Sequence, residues 1–323
     1  MVGGHDRGTM PQEDERLQPL ATSIRSRGTA LDALAQQLRT PAILEAFDKW
    51  NHNSWCTAVA GDSLVRLRLL TEQNFLVLET MGVVAVARYV FEVTIWLRLF
   101  ALDRRYGLVY FDQLLATQQR FYEDTLAQLE RESEWLKSLD EKETASSQQA
   151  INEIGSGTPK DDQAKRLAAA LSAVSADIDA EASRRFSLYA EAARTNGYGF
   201  QAYLVETKAL PPVRTALDAI ATERETFDSM VTEETRALRP SRWQWRPMAQ
   251  KVGRVDEYDY LYSFASKLLH ATPASITTDH KNLDAAEMEM FLKYIDVALD
   301  DILALAAQYH PASGQIRSHD LGS

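Results

Sequence analysis

Cysteine is all but missing: one thiol, Cys56, in 323 residues excludes an internal disulfide and any zinc site that needs two thiolates. So few thiols fit a reducing compartment, and a cytoplasmic location is expected. Glycine and proline are scarce too, at 14 and 10, and nowhere do apolar and polar residues alternate for long. Strands need that alternation and tight turns need those residues, so an all-α fold is expected. Positive charge is in the minority, with 35 Lys and Arg against 46 Asp and Glu for a net charge of -11. A whole-surface field that gathers nucleic acid is thereby excluded, and any such contact has to be local. Long uncharged apolar runs are absent as well. Met81 to Leu102 is long enough to span a bilayer, yet it carries Arg88, Glu92 and Arg98, which a membrane centre tolerates poorly. A core helix is expected there, and no membrane partner.

Whole classes of chemistry lack their motifs. No Walker phosphate loop occurs, and Gly197-Tyr198-Gly199 has neither the third glycine nor the βαβ setting of a dinucleotide site. Glu-x-x-His pairs, His-Glu-x-x-His and Gly-x-Ser-x-Gly are missing, so neither a metal nor a cofactor is expected. Cys56 has only His52 near it in sequence and reads as a small buried hydrophobe.

What the chain does have is apolar residues at three-to-four spacing almost throughout. A first helix ends near Arg39. Thr40-Pro41 then supplies a cap and a first-turn proline for a short helix bearing Ile43, Leu44, Phe47 and Trp50. Gly61-Asp62-Ser63 is expected to open the next segment and Gly82 to interrupt it before an apolar helix from Val83 to Leu102. From Tyr110 a narrower apolar stripe runs among dense charges. After the break at Gly155 to Pro159, Lys160 to Thr195 reads as a second long helix. Two long helices joined by a turn predict an antiparallel hairpin arm, which is either a solvated hairpin with no binding role or a surface for a protein partner or a second copy. A short helix from Phe200, one opened by Pro211-Pro212 and running to Ala237, and an irregular stretch from Arg239 to Pro247 follow; helices over 256–270 and 283–309 close the fold. The chain is expected to divide into a disordered leader at 1–14, N-terminal helices at 15–60, a helical core at 61–310 with 126–196 inserted as the arm, and a disordered tail at 311–323.

Three features point toward function. Arg88 and Glu92 lie one helical turn apart inside an apolar helix expected to be buried nearly all round. They are either a structural pair, whose breaking would cost about 3–5 kcal/mol, or an arginine aimed at an anionic ligand and steadied by Glu92. At 100° per residue, Asp259, Ser263, Ser266 and His270 form a polar stripe beside the apolar stripe of Tyr258, Leu261, Tyr262, Ala265 and Leu269. That stripe is either a satisfied network with His270 as a helix-end cap, or a pocket wall with His270 placed for proton transfer. Residues 236 to 254 hold Arg239, Arg242 and Arg246 around Trp243 and Trp245 with no acid among them. Such interleaving suits phosphate contact and base stacking, so RNA or a nucleotide is a candidate partner. It equally suits tryptophans that anchor a loop and arginines that answer acids elsewhere.

Arg88-Tyr89-Val90-Phe91-Glu92, followed by Trp243, Met248-Ala249 and Gly253 leading into Tyr258, Tyr262, Ser266 and His270, resembles a family of bacterial all-helical proteins of unknown function. In that family an Arg-x-x-x-Glu helix is matched by a later Tyr-x-x-x-Ser-x-x-x-His helix. The resemblance covers residues 63 to 125 and 240 to 300. The helical cores of the family look like HEPN domains, which include metal-independent ribonuclease toxins and nucleotide-binding modules. The resemblance implies a HEPN-like bundle in which Arg88, Glu92, Ser266 and His270 form one polar cluster. It departs from the HEPN nuclease pattern, because no histidine here has an arginine four to six residues before it on one helix. Cleavage would therefore need Arg88 and His270 to meet across helices. Two functions follow as expectations: a non-catalytic interaction scaffold that uses the arm, or a metal-independent RNase or nucleotide-binding protein in a toxin or anti-phage setting.

Overall fold

A computed structural model describes residues 10–155, 160–270 and 282–310. Residues 1–9 of the expected leader, 156–159 of the expected break and the expected tail lie outside these. Among the described residues the fold is all-α, with no strand. None of the described helices is long and apolar enough to cross a membrane. The chain separates into two compact units, with boundaries between Gln113 and Leu114 and between Ser229 and Met230.

The first unit is built on α1 (Met10–Leu38), α3 (His52–Asn74), α4 (Thr80–Leu102) and a late helix, α14 (Ala285–Ala307). Ion pairs and hydrogen bonds reveal their directions. Ser23 donates to Asp296 and Arg27 to Asp300, both across 273 residues, and a constant offset means that α1 and α14 run parallel. Arg98 with Asp301 and Thr80 with the Leu283 N–H both span 203 residues, so α4 and α14 are parallel as well. Arg68 with Asp32 and Arg39 with Asp62 keep a nearly constant sum instead, which makes α1 and α3 antiparallel. Ile24, Leu31, Leu64, Leu67, Val90, Ile95, Phe291, Ile295 and Leu299 are fully enclosed among these four helices. Burying each such side chain contributes about 1.5–3 kcal/mol, far more than any half-exposed ion pair at the rim.

Thr40 caps the short α2 (Pro41–Glu45) as expected, accepting from the Ile43 N–H at 3.4 Å. Two glycines behave otherwise. Gly61 lies in mid-helix, because α3 begins at His52 behind Asn51, whose side chain accepts from the Asn53 N–H. Gly82 lies in the first turn of α4, and the true break is at residues 75–79, where Phe75 turns inward. A helical glycine costs only about 1 kcal/mol, which burial on either side easily offsets.

Asp256 to His270 is not one regular helix. It comprises α12 (Val255–Glu257), a π-helical turn over Tyr258–Tyr262, and α13 (Ser263–Leu269), with His270 extended at the C-cap. Before it, α10 (Glu233–Leu238) and α11 (Trp245–Lys251) occupy sequence expected to be the end of a longer helix and an irregular loop. Thr232 caps α10, accepting from the Thr235 N–H.

Most of α5 (Tyr106–Gly155) belongs to the second unit, where successive segments return along it. Lys142 pairs with Glu181, and Ser175 donates to Glu143, so α6 (Lys160–Ala182) is antiparallel to α5. α6 ends at Ala182 rather than running on to Thr195, and after a turn the chain resumes as α7 (Ala190–Asn196) and α8 (Tyr198–Leu204). Gly197, with φ of 88°, reverses the chain between them, and Gly199 allows its own N–H to reach Asp140 at 3.0 Å. A side chain at 199 would drive a carbon to 2.7 Å from that carboxylate. The lone Gly-x-Gly is thus a packing device. A π-helical turn, Val205–Ala209, leads without a break into α9 (Leu210–Met230), and Pro211 and Pro212 follow after Leu210.

Where α5 starts in the first unit, Gly107 faces α3 so closely that a Cβ would lie 2.2 Å from the His52 carbonyl oxygen. Gly107→Ala is therefore expected to lose about 1–3 kcal/mol despite alanine's better helix propensity. Gly28, with open space at its Cβ position, should gain about 1 kcal/mol on conversion to alanine. Urea unfolding of the two variants checks the pair, and equal shifts in one direction would contradict the packing at Gly107.

Candidate functional site

The π-turn decides which side chain of the second motif helix meets the Arg88–Glu92 pair. An i→i+5 turn inserts a residue into the helical phase, so a stripe drawn at 100° per residue does not survive passage through it. Asp259 accordingly leaves the predicted stripe and receives both Nε and Nη2 of Arg246 at 2.8 and 2.9 Å. Tyr262 turns toward α4. Its hydroxyl donates to Glu92 Oε1 at 3.1 Å, the same oxygen that accepts Arg88 Nε at 3.2 Å. The Arg88 guanidinium lies 4.9 Å from the centre of the Tyr262 ring, so the three residues close on one another through a hydrogen bond, an ion pair and a cation–π contact. The contacts join Arg88 and Glu92 to Tyr262. Ser266, half-buried, is one turn further along α13, and His270, exposed, stands at its end. Eight residues separate Tyr262 from His270, which is about 12 Å of helix.

The pair is less deeply buried than the apolar flanks of α4 predict. The side chains of Arg88 and Glu92 retain 32% and 26% of their exposure. Burial raises the Tyr262 hydroxyl to about 12, with the adjacent Glu92 charge reinforcing it. For Arg88, burial opposes the charged form, but Glu92 and Tyr262 outweigh it and the guanidinium is held more firmly protonated. In the trio the arginine is held protonated, one carboxylate oxygen accepts twice, and the phenol ionises only in strong base.

The arginine and tryptophan segment is also turned inward. Trp243 stacks on Trp96 of α4 at 4.1 Å with planes 11° apart, and Trp245 stands perpendicular to both and reaches Tyr262. Arg239 binds Asp112, a buried carboxylate, at 2.8 Å. Arg246 is engaged by Asp259. Arg242 is exposed and has no carboxylate partner among the described residues. The two tryptophans, Arg239 and Arg246 serve as anchors, and Trp96, which the spacing did not single out, is the common seat of the tryptophans. The missing signal was tertiary: Trp96 lies in an apolar run where an aromatic carries no special pattern.

Cys56 is fully enclosed between α3 and the start of α5, with its Sγ 3.4 Å from the Arg104 carbonyl oxygen. Burial pushes its thiol up to about 12, the opposite of what a nucleophile needs. Among the described residues no group of three or more His, Cys, Asp or Glu could hold a metal ion.

Two measurements test this geometry. Tyr262→Phe should cost about 1 kcal/mol and Arg88→Ala about 1–2 kcal/mol, rather than the larger loss of a fully buried pair. A double-mutant cycle should show the two changes coupled by about 0.5–1 kcal/mol, and strict additivity would contradict the closed trio. Cys56 and Tyr262 both ionise at higher pH when folded than when unfolded, so their contribution is complete below about pH 8.5. It is lost as pH rises toward 12, because only the unfolded chain gives up these protons readily. Urea midpoints should fall between pH 8.5 and 10.5, and fall less in Cys56→Ala; an unchanged slope in that variant would place the alkaline sensitivity elsewhere.

No protein-family model, no curated protein and no solved structure matches this chain.

Proposed function

We propose that the protein is a non-catalytic interaction scaffold, and that its second unit, the helical hairpin, presents the surface a protein partner or a second copy binds. One observation carries this reading: a buried carboxylate is committed to holding an exposed apolar turn in one shape. Glu132 of α5 is enclosed, and its Oε1 accepts from the Ser187 hydroxyl and from the Tyr189 N–H at 3.1 Å. The Ser187 oxygen in turn accepts from the N–H groups of Tyr189 and Ala190 at 3.1 and 2.8 Å. On this clamped turn stand Arg184, Arg185, Phe186 and Leu188, with Phe186 76% and Leu188 51% exposed.

A solvent loop has no need of this. Taking a carboxylate out of water is costly unless hydrogen bonds replace its hydration, and a connection between α6 and α7 could be made from polar residues in many shapes. Fixing the turn in advance removes the ordering cost from a later association, and large apolar side chains beside arginines are the composition of interface anchors. The first unit fits the same reading as a HEPN-like bundle without catalysis. Its support is the Arg88–Glu92 pair closing on Tyr262, together with tryptophans used for packing.

The test uses the full chain and the double variant Phe186→Ser, Leu188→Ser, whose melting temperature should match the parent's because both side chains lie in solvent. The parent is expected to self-associate in sedimentation, or to retain a cellular protein in a crosslinked pull-down, and the double variant to lose that association at least tenfold. Glu132→Gln should weaken the same association with the anchors still present. A monomer that retains nothing the variant loses would remove the scaffold reading. Chelator-resistant RNA cleavage that Arg88→Ala or His270→Ala abolishes would establish the ribonuclease alternative instead.

A further inference from the structure

A second candidate site lies in the first unit and owes nothing to the turn at Ser187. α2 is held at both ends, although none of its residues is buried. The Thr40 cap fixes its start. Beyond its end, Phe47 meets Trp55 edge-on at 5.1 Å, and Trp55 is stacked on Phe111 at 4.7 Å. Between α2 and the antiparallel α1–α3 pair is a crevice of about 300 Å³, walled by Leu38, Ile43, Leu44, Phe47 and Ala58. Two of these walls stay in water, Leu44 at 54% and Phe47 at 40% exposure. A short helix fastened above an unfilled apolar slot is built like a flap.

Arg39 and Asp62 sit at the rim. The aliphatic stem of Arg39 lies across Gly61, and a Cβ at that position would come within 2.8 Å of Arg39 Cγ. The missing Cβ at Gly61 leaves room for the Arg39 stem to lie there. Asp62 approaches the guanidinium most closely at Nε, 3.0 Å away. Nη1 and Nη2 donate no hydrogen bond among the described residues, and together they form an edge that can receive a carboxylate through two parallel hydrogen bonds.

We infer that this crevice binds a small amphiphilic carboxylate, with its hydrocarbon tail under α2 and its carboxylate on the free edge of Arg39. At roughly 30 Å³ for each water-sized group, the volume admits a ligand of about ten non-hydrogen atoms, the size of octanoate. An apolar slot with one placed polar group at its mouth is the usual form of such sites, the walls supplying affinity and the charge orientation.

Calorimetric titration of the full chain with sodium octanoate, and with octan-1-ol as the neutral counterpart, tests the inference. Saturable binding of one octanoate per chain is expected. Arg39→Gln should weaken octanoate about tenfold or more while leaving octanol within about twofold, the loss of one charge-assisted hydrogen-bonded pair. Gly61→Ala, which displaces the Arg39 stem, should act as Arg39→Gln does. Ala58→Phe, which fills the slot, should abolish binding of both; if it does not fold, Leu44→Gln should weaken both ligands together. Absence of saturable octanoate binding overturns the proposal, and so does equal binding by the parent and Arg39→Gln. A peptide ending in leucine that binds tighter than octanoate through the same residues would overturn the small acid as occupant in favour of a chain end.

Discussion

Helix α4 is apolar on nearly every side, and the rest of the first unit is arranged to cover it. α3 packs on one flank, α14 on another, and the segments from α11 to α13 on a third. Because α14 runs parallel to α4, the chain cannot join them by a short turn. It has to travel from one end of the bundle to the other, and the sequence between the two helices supplies the connection. The second unit is carried within that long connection. The charges of α4 are each paired. Arg98 reaches Asp301 of α14, which Arg254 also approaches, and Arg88 and Glu92 occupy the half-open strip beside Tyr262. These pairs add little stability beside the buried Val, Ile, Leu and Phe side chains, but they fix the register at which the helices meet.

Polar and aromatic groups in this unit are spent on closure. The single oxygen of Glu92 that takes Arg88 also takes Tyr262, and the rings of Trp243 and Trp245 lie on Trp96 and Tyr262. In the trio, Glu92 and Tyr262 hold the guanidinium protonated, and burial drives the phenol up. The second unit spends its buried acid differently: Glu132 is satisfied by a turn whose exposed tip contributes nothing to its own unit's core. The contrast between a polar cluster that faces inward and one that stiffens an outward-facing apolar turn underlies the functional reading.

Two π-helical turns recur at the places where a helix is re-aimed. One rotates Tyr262 onto Glu92, and the other precedes Pro211-Pro212, whose missing N–H groups would otherwise disturb the ladder. Neither leaves a mark in apolar periodicity, since a one-residue shift looks like ordinary scatter in a stripe about 100° wide. The consequences for the site are large. Of the expected polar stripe, Asp259 pairs with Arg246, and His270 stands extended at the C-cap, off the helix.

By itself the sequence determined the helical class, the cap at Thr40, the apolar character of α4 and α14, and the i to i+4 meeting of Arg88 with Glu92. All of these follow from local physics: backbone hydrogen bonding within a few residues, side-chain spacing along one helix, and the exclusion of apolar surface from water. Tertiary structure alone decided that Tyr262 is their partner, that Trp96 seats the tryptophan pair, and that Gly61 and Gly107 are sites of close approach rather than helix breaks. It alone brought Glu132 to Ser187 and left a slot beneath α2. Each of these depends on distances between residues far apart in the chain, set by how whole helices cross. A one-residue change of phase or a single missing Cβ redirects such contacts without altering the local pattern that the sequence displays.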